Sequence, residues 1–232
     1  VMLCDTVGVL TPSRAADLVR STKAHVGDRI VLGTHFHDDL GMATANTVAA
    51  VEAGAIYPSV TVNGVGERAG NAVLAELVAA CEMALDRPTG VWLQAMPALS
   101  QLVEARTGVP LSDDAPLVGA TTFDHESGIH VHGVLRAPHT YESVAPELLG
   151  RRRRLVLGKS SGRAGLAVFA AENALPAAGP VFDRVLHRLK AERPDGYQSG
   201  ADAHLAIRDA YIAERLRRAE ARVRQLFAEE AV

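Results

Sequence analysis

The stretch "GTHFHDDLGMATANTVAAVEAGA", Gly33–Ala55, decides how the chain is read. In a strand, residues i and i+2 share a face, so His35 and His37 project together from one strand end. Two carboxylates, Asp38 and Asp39, follow them. Then comes an alanine-rich stretch nearly free of charge, closed by Gly54, which reads as a helix. The pattern is one βα unit with its polar chemistry at the C-terminal end of the strand.

The same unit lies on either side. "VMLCDTVG" opens the chain as an apolar strand ending in Asp5-Thr6. Thr11 and Pro12 suit the N-cap and first position of a helix, Leu18, Val19, Thr22 and Val26 its inner face, and Gly27 its end. "RIVLGTHFH" is the second strand, "YPSVTVNGVGE" the third, and "NAVLAELVAACEMAL" the third helix. Strand and helix alternate three times, which predicts parallel βα units. Strands buried on both faces read as apolar runs, and these do.

From about Asp86 the rhythm changes. "GVWLQAMPALSQLVEARTGV" reads as a helix entered or interrupted at Pro97, with loops from Pro110 to Thr122. "FDHESGIHVHGVL" and "HTYESVAPELLGRRRRLVLGKSSGRAGL" follow, then helices over 180–192 and 201–230, the last amphipathic. The expected organisation is an α/β part over 1–88 and a mostly helical part over 89–232, with the boundary near 88–120.

Composition narrows the class. The chain has 232 residues, 48% of them hydrophobic but only 4% aromatic. Its core is therefore built from Ala, Val and Leu. The net charge of −3 calls for neither nucleic acid nor a membrane surface, and no apolar run is long enough to span a bilayer. Cys4 and Cys81 make no disulfide framework, and a reducing cytoplasm is the simple reading. The chain opens directly into a strand without an initiator Met, as though cut from the middle of something larger.

Polar groups end all three strands: Asp5 and Thr6; His35 and His37; Asn63, Glu67, Arg68 and Asn71. In parallel βα architectures, functional groups gather at these ends. A bare H-x-H describes two hydrogen-bonded histidines as readily as a cation site, and the strand-end position favours the cation. In "NGVGERAGNA" the glycines permit close backbone approach. Glu67-Arg68 reads either as an ion pair fixing that loop or as a substrate contact. Asn71 reads as a helix cap or as an amide ligand.

These motifs, with "CDTVGVLTP" and "HESGIHVHGVL…TYE…LVLGKSSGRAGL", resemble the 2-isopropylmalate synthase and homocitrate synthase family, Claisen-type acyltransferases on a TIM (β/α)8 barrel. The likeness runs from residue 1 to about 170. It implies that "CDTVG", "HFHDD" and "NGVGERAGN" are barrel strands six to eight, followed by a C-terminal subdomain that reaches the partner protomer's active site. It implies a divalent metal (Zn, Mg or Mn) held by His35 and His37, with Asn71 in or near its shell. Acetyl-CoA is the co-substrate and a 2-oxo acid the acceptor, met by Thr6, Asp5, Glu67 and Arg68. His130 matches the catalytic histidine of S-G-I-H, Tyr141 a tyrosine acting beside it, and Glu126 a residue orienting the motif. A homodimer is implied, or a complex with a chain carrying the N-terminal half.

Several features depart from the family pattern. The Arg-Asp-Gly strand that supplies an acidic metal ligand is missing; "RPDG" at 193–196 lies in a late loop and is not it. A TIM barrel takes about 250 residues, and three strands cannot close one. The chain is thus expected to be the C-terminal portion of a larger or split enzyme, inactive without the rest. His132 stands where the family often has Asp, and Ser160 where it often has His. Arg151–Arg154 either contact coenzyme A phosphates or decorate a strand edge. Isopropylmalate synthases commonly carry a C-terminal leucine-binding domain, and the chain ends at Val232 after two helices. That favours homocitrate synthase, with 2-oxoglutarate as acceptor, over isopropylmalate or citramalate synthase. A non-catalytic partner subunit of a full-length homologue is the reading from another class.

Overall fold

The structure is a computed structural model that describes residues 1–158, 160–192 and 201–229. The "RPDG" segment at 193–196 lies outside the described residues. The chain divides into two compact units, the first spanning Val1–Thr122 with Pro146–Arg151, the second Phe123–Ala145 with Arg152–Val232. The helix and loops after Arg87 belong to the first unit.

The first unit is α/β. Its strands β1 (Met2–Asp5), β2 (Gly33–Phe36) and β3 (Tyr57–Ser59) form a parallel sheet in sequence order. They alternate with α1 (Pro12–Val26), α2 (Ala43–Glu52) and α3 (Leu74–Ala79), and α4 (Met96–Thr107) follows. This is the alternation of a partial TIM-barrel-like fold. Pro12 stands in the first turn of α1, and Gly27 (φ 71°) ends it by donating to the Lys23 carbonyl. Pro97 likewise lies in the first turn of α4, entering the helix rather than breaking it.

The strands are shorter than their apolar runs. β2 starts only at Gly33, leaving Ile30 and Val31 exposed. β3 stops at Ser59, and Val62–Gly64 turns as a 3₁₀ segment with Asn63 at φ 57°. The chain turns there because Thr61 pairs with Val73 and its amide donates to the Ala72 carbonyl at 2.9 Å. α3 runs on into a π-helical turn over Ala80–Ala84.

Alternation along the strands sorts the two faces of the sheet. Phe36 is fully buried and packs with Ala15, Val19, Ala43, Ala50 and Ala72, with Leu3 and Val60 at the margin. The buried face of α1 is Ala15, Ala16 and Val19, whereas Leu18, Thr22 and Val26 are half-buried. Small side chains on both α1 and α2 let the two helices lie close, which rotates the inner face of α1 toward its alanines. His35 pairs in register with Cys4 on one side and Ser59 on the other. This row lies on the opposite face from Phe36.

The second unit is mostly helical. Two short parallel strands, β4 (Asp124–His125) and β5 (Arg154–Leu155), accompany α5 (Gly128–Arg136), α6 (Arg163–Glu172), α7 (Pro180–Glu192) and α8 (Ala201–Glu229). Its core gathers Leu157, Leu166, Phe169, Phe182, Val185 and Tyr211. The starts of α5 and α6 cross at Gly128, where a Cβ would stand 2.7 Å from the Gly162 Cα. Among the described residues no helix is long and apolar enough to cross a membrane.

Candidate active site

The ends of the three parallel strands are sewn together by backbone and side-chain bonds. The His37 amide donates to the Asp5 carbonyl at 3.2 Å, and the Asp38 amide to the Gly70 carbonyl at 3.0 Å. His37 and Asn71 form an isolated antiparallel bridge. Asn71 donates through Nδ2 to the Phe36 carbonyl at 3.1 Å. The glycines of "NGVGERAGN" are required by this folding. A Cβ on Gly70 (φ 96°) would stand 1.9 Å from the Gly64 carbonyl oxygen, and one on Gly66 would stand 2.2 Å from Asn71 Oδ1.

The two histidines meet as the alternation requires. Their rings lie edge to face with centroids 5.1 Å apart. His35 Nδ1 pairs with Ser59 Oγ at 3.1 Å, which orients the ring. His37 is buried, and its Nδ1 has no hydrogen-bond partner among the described residues. An unbonded buried imidazole nitrogen is costly unless a ligand satisfies it. Two imidazoles on one face, beside an asparagine amide, suit a divalent cation of the borderline kind. They leave its coordination incomplete. Among the described residues no cluster of three or more His, Cys, Asp or Glu side chains is placed to hold a metal.

The other strand-end residues take defined positions. Asp5 is buried, and its Oδ2 accepts from the Leu10 amide at 2.8 Å, closing the loop after β1. Asn46 of α2 holds the same loop through the Leu10 carbonyl. Asp38 Oδ1 accepts from the Ala43 amide at 2.6 Å at the start of α2. Arg68 stands at φ 58° and grips Asp39 with two bonds, Nε to Oδ1 at 2.8 Å and Nη2 to Oδ2 at 2.9 Å. Its Nη2 also donates to the Thr6 carbonyl at 2.5 Å. The Arg68 hydrogen bonds hold the Asp39 carboxyl below its usual range, and the Asp39 bond raises Arg68 in return. Thr6 and Glu67 are exposed beside this pair. The sequence left Glu67-Arg68 open between an ion pair fixing the loop and a substrate contact. The chain instead pairs it with Asp39, 29 residues away.

The second unit brings His130 and Tyr141 together. Their rings lie 4.6 Å apart, tilted by 38°. Gly133, one turn on in α5, makes room, since a Cβ there would stand 2.1 Å from Tyr141 Cε2. Glu126 lies just before α5, and its Oε1 accepts from the Ser160 amide at 2.6 Å. It therefore fixes the Ser160 backbone near the start of the helix. His132 is exposed on α5.

Two residues of the quoted motifs were not singled out by sequence, His125 and Glu142, and Arg153 was read only as one of a run of four arginines. Glu142, its side chain only 4% exposed, accepts from His125 Nε2 at 3.1 Å and from Arg153 Nε at 2.9 Å and Nη2 at 3.0 Å. Burial pushes the Glu142 carboxyl up, but the Arg153 and His125 bonds outweigh it and hold it below the usual range. The signal was present, since Glu142 closes "TYE" and His125 opens "HESGIH". The four arginines are largely taken up within the chain. Arg151 donates to the carbonyls of Gly119 and Ala120, Arg153 pairs with Glu142, and Arg154 with Asp124.

Comparison with known proteins gives this geometry a context. Residues 1–103 match the HMGL-like family, and residues 117–195 match the homocitrate synthase post-HMGL domain-like family. The chain is 45% identical over 217 residues to a protein of Ignicoccus hospitalis named "Probable 2-isopropylmalate synthase", covering 94% of this chain and 54% of that protein. It is 44% identical over 186 residues to a 2-isopropylmalate synthase of Saccharolobus solfataricus, covering 80% and 48%. It is 39% identical over 210 residues to an (R)-citramalate synthase of Methanocaldococcus jannaschii, covering 90% and 42%. The chain spans about half the length of the curated relatives it matches. Residues 1–103 thus carry the HMGL-like match with the strand-end histidines, residues 117–195 carry the post-HMGL match with the S-G-I-H helix, and over most of its length the chain is similar to isopropylmalate and citramalate synthases.

Proposed function

We propose that the chain is the C-terminal portion of a Claisen-type acyltransferase that condenses acetyl-CoA with a 2-oxo acid, of the 2-isopropylmalate or (R)-citramalate synthase kind. Homocitrate synthesis, favoured on the length of the chain after its last motif, gives way here. The relatives similar over most of this chain carry the isopropylmalate and citramalate names. The observation that carries the activity is the pair of same-face imidazoles at a parallel strand end, one with a buried, unbonded Nδ1.

In this reading β1 to β3 are the last three strands of a (β/α)8 barrel. His35, His37 and Asn71 hold a divalent cation, with the remaining ligands supplied by residues outside the chain. A cation there supplies Lewis-acid polarisation of the acceptor ketone. Thr6 and Glu67 face the acceptor. Asp5 and Arg68 keep the rim of the pocket in shape, through Leu10 and through Asp39. His130 carries a proton in the acid–base steps, and the Tyr141 hydroxyl acts beside it. Glu126 fixes the helix that presents them. A proton leaves the acetyl-CoA methyl group, the enolate carbon attacks the ketone carbon, and water then cleaves the thioester to release free CoA thiol.

The test joins this chain to the N-terminal half of the Ignicoccus relative and measures thiol release from acetyl-CoA. Pyruvate, 3-methyl-2-oxobutanoate and 2-oxoglutarate are offered in parallel. Metal-dependent release with one of the first two supports the proposal. Release only with 2-oxoglutarate restores the homocitrate reading. No release with any acceptor favours a non-catalytic partner subunit.

A further inference from the structure

The proposed chemistry leaves one buried charged cluster of the second unit without a role. A carboxylate as deeply buried as Glu142 is costly unless fully paired, and here both oxygens are engaged. Arg153 covers both of them and His125 takes one. The three residues come from three separate stretches of chain. His125 ends β4 and stands two residues before Ser127, the N-cap of α5. Arg153 leads directly into β5. Glu142 follows Tyr141, in a segment with no regular element before Pro146.

That segment has few other anchors. The amides of Tyr141 and Glu142 both return to the Pro138 carbonyl at 3.0 Å, forming a short turn after α5. Tyr141 is 40% exposed, and its ring rests on Gly133 and His130 without filling a core. Packing alone therefore holds the ring weakly. The residue after it is clamped to the strand that leads into α5, the helix carrying His130. The clamp thus ties the backbone beneath Tyr141 to the same frame that carries its ring partner.

We infer that Glu142, braced by Arg153 and His125, is a positioning residue that holds the Tyr141 ring against His130. The inference rests on the proposed reaction only in assigning that ring pair to catalysis. The clamp itself is a property of this chain. A misplacement of about 1 Å far from the chemistry can cost on the order of 100-fold in rate, so such a clamp has a catalytic consequence without touching substrate.

The experiment is NMR on the chain in solution, reading the cross-peaks between the His130 and Tyr141 rings. Glu142→Gln keeps the shape and removes the charge. Arg153→Lys keeps the charge and removes the fork. Gly133→Ala pushes the ring away from the other side with the clamp intact, and shows what a displaced ring looks like. The inference expects the ring cross-peaks to be lost in Glu142→Gln and in Gly133→Ala, with the amide signals of α5 and α6 in place. In the completed enzyme, Glu142→Gln should then lower kcat by about 10- to 100-fold at unchanged acceptor KM. Cross-peaks that persist in folded Glu142→Gln or Arg153→Lys would overturn it. So would collapse of the second unit's amide spectrum in both variants, because the cluster would then hold up the fold rather than one ring. Loss of the cross-peaks with unchanged kcat supports the clamp and removes the ring pair from the proposed mechanism.

Discussion

His37 and Asn71 face each other across an isolated bridge between two strand-end loops, and Asn71 reaches back to the Phe36 carbonyl at 3.1 Å. The bond places an amide beside a buried imidazole whose Nδ1 is unbonded among the described residues. Local sequence brings neither residue to the other. The folding of the glycine-rich loop does.

A cation site built on these groups should be measurable in the chain itself. Cobalt(II) or Zn²⁺ titration by calorimetry should show binding weaker than that of a full-length relative. His37→Ala should weaken it by more than about 100-fold, the upper range for losing only a supporting outer-shell group. Ser59→Ala, which frees His35 Nδ1, should weaken it less. Equal affinity in the wild type and His37→Ala would remove the metal assignment.

The glycine loop should tolerate no side chain at Gly70. Its φ of 96° and the 1.9 Å approach to the Gly64 carbonyl leave a Cβ nowhere to go. Gly70→Ala should destabilise the first unit by about 2–4 kcal/mol, combining backbone strain with overpacking. Gly27→Ala is the control. That glycine shares the left-handed φ, but nothing lies within 4 Å of its Cβ position, so its cost should be near 1 kcal/mol. Urea unfolding followed by amide signals of β2 separates the two.

The core beneath the site should respond as a packed aromatic does. Phe36 is fully buried on the helix side of β2, directly between the two histidines in sequence. Phe36→Ala should cost about 3–5 kcal/mol, read as a lower midpoint in urea. Phe36→Leu should cost less than half of that.

Glu142 gives the second unit a definite acid sensitivity. Its carboxyl is held below its ordinary value of 4.5 in the folded chain. Its contribution to stability is therefore complete above that value and is lost as pH falls through the lower, folded value. Arg153→Ala should destabilise the second unit by about 3 kcal/mol at neutral pH, because a buried carboxylate is left with one partner fewer. Lowering the pH should narrow that difference. A gap constant from pH 7 to pH 3 would show that Glu142 does not carry it.

The fold of the first unit was largely legible because its signals are local. Alternation around Phe36 put His35 and His37 on one face, and Pro12, Gly27 and the alanine-rich helix marked their own boundaries. The strand lengths were not. Ile30 and Val31 have the composition of a strand, but pairing begins at Gly33, where the neighbouring strand supplies partners. Strand length is set by the hydrogen bonds of the neighbouring strands, which one segment's propensity does not encode.

The candidate site divides in the same way. Sequence alone determined the residue types at three successive strand ends, the glycines that allow the loop to close, and the S-G-I-H and T-Y-E motifs. Tertiary structure alone decided the partners: Asp39 rather than Glu67 for Arg68, Leu10 for Asp5, Ser160 for Glu126, and Arg153 with His125 for Glu142. The reason is physical. Periodicity fixes the direction in which a side chain leaves its own element. The charge or amide it meets is set by loops folding back over tens of residues, which bring one distant partner into hydrogen-bonding geometry and leave the sequence neighbour unused.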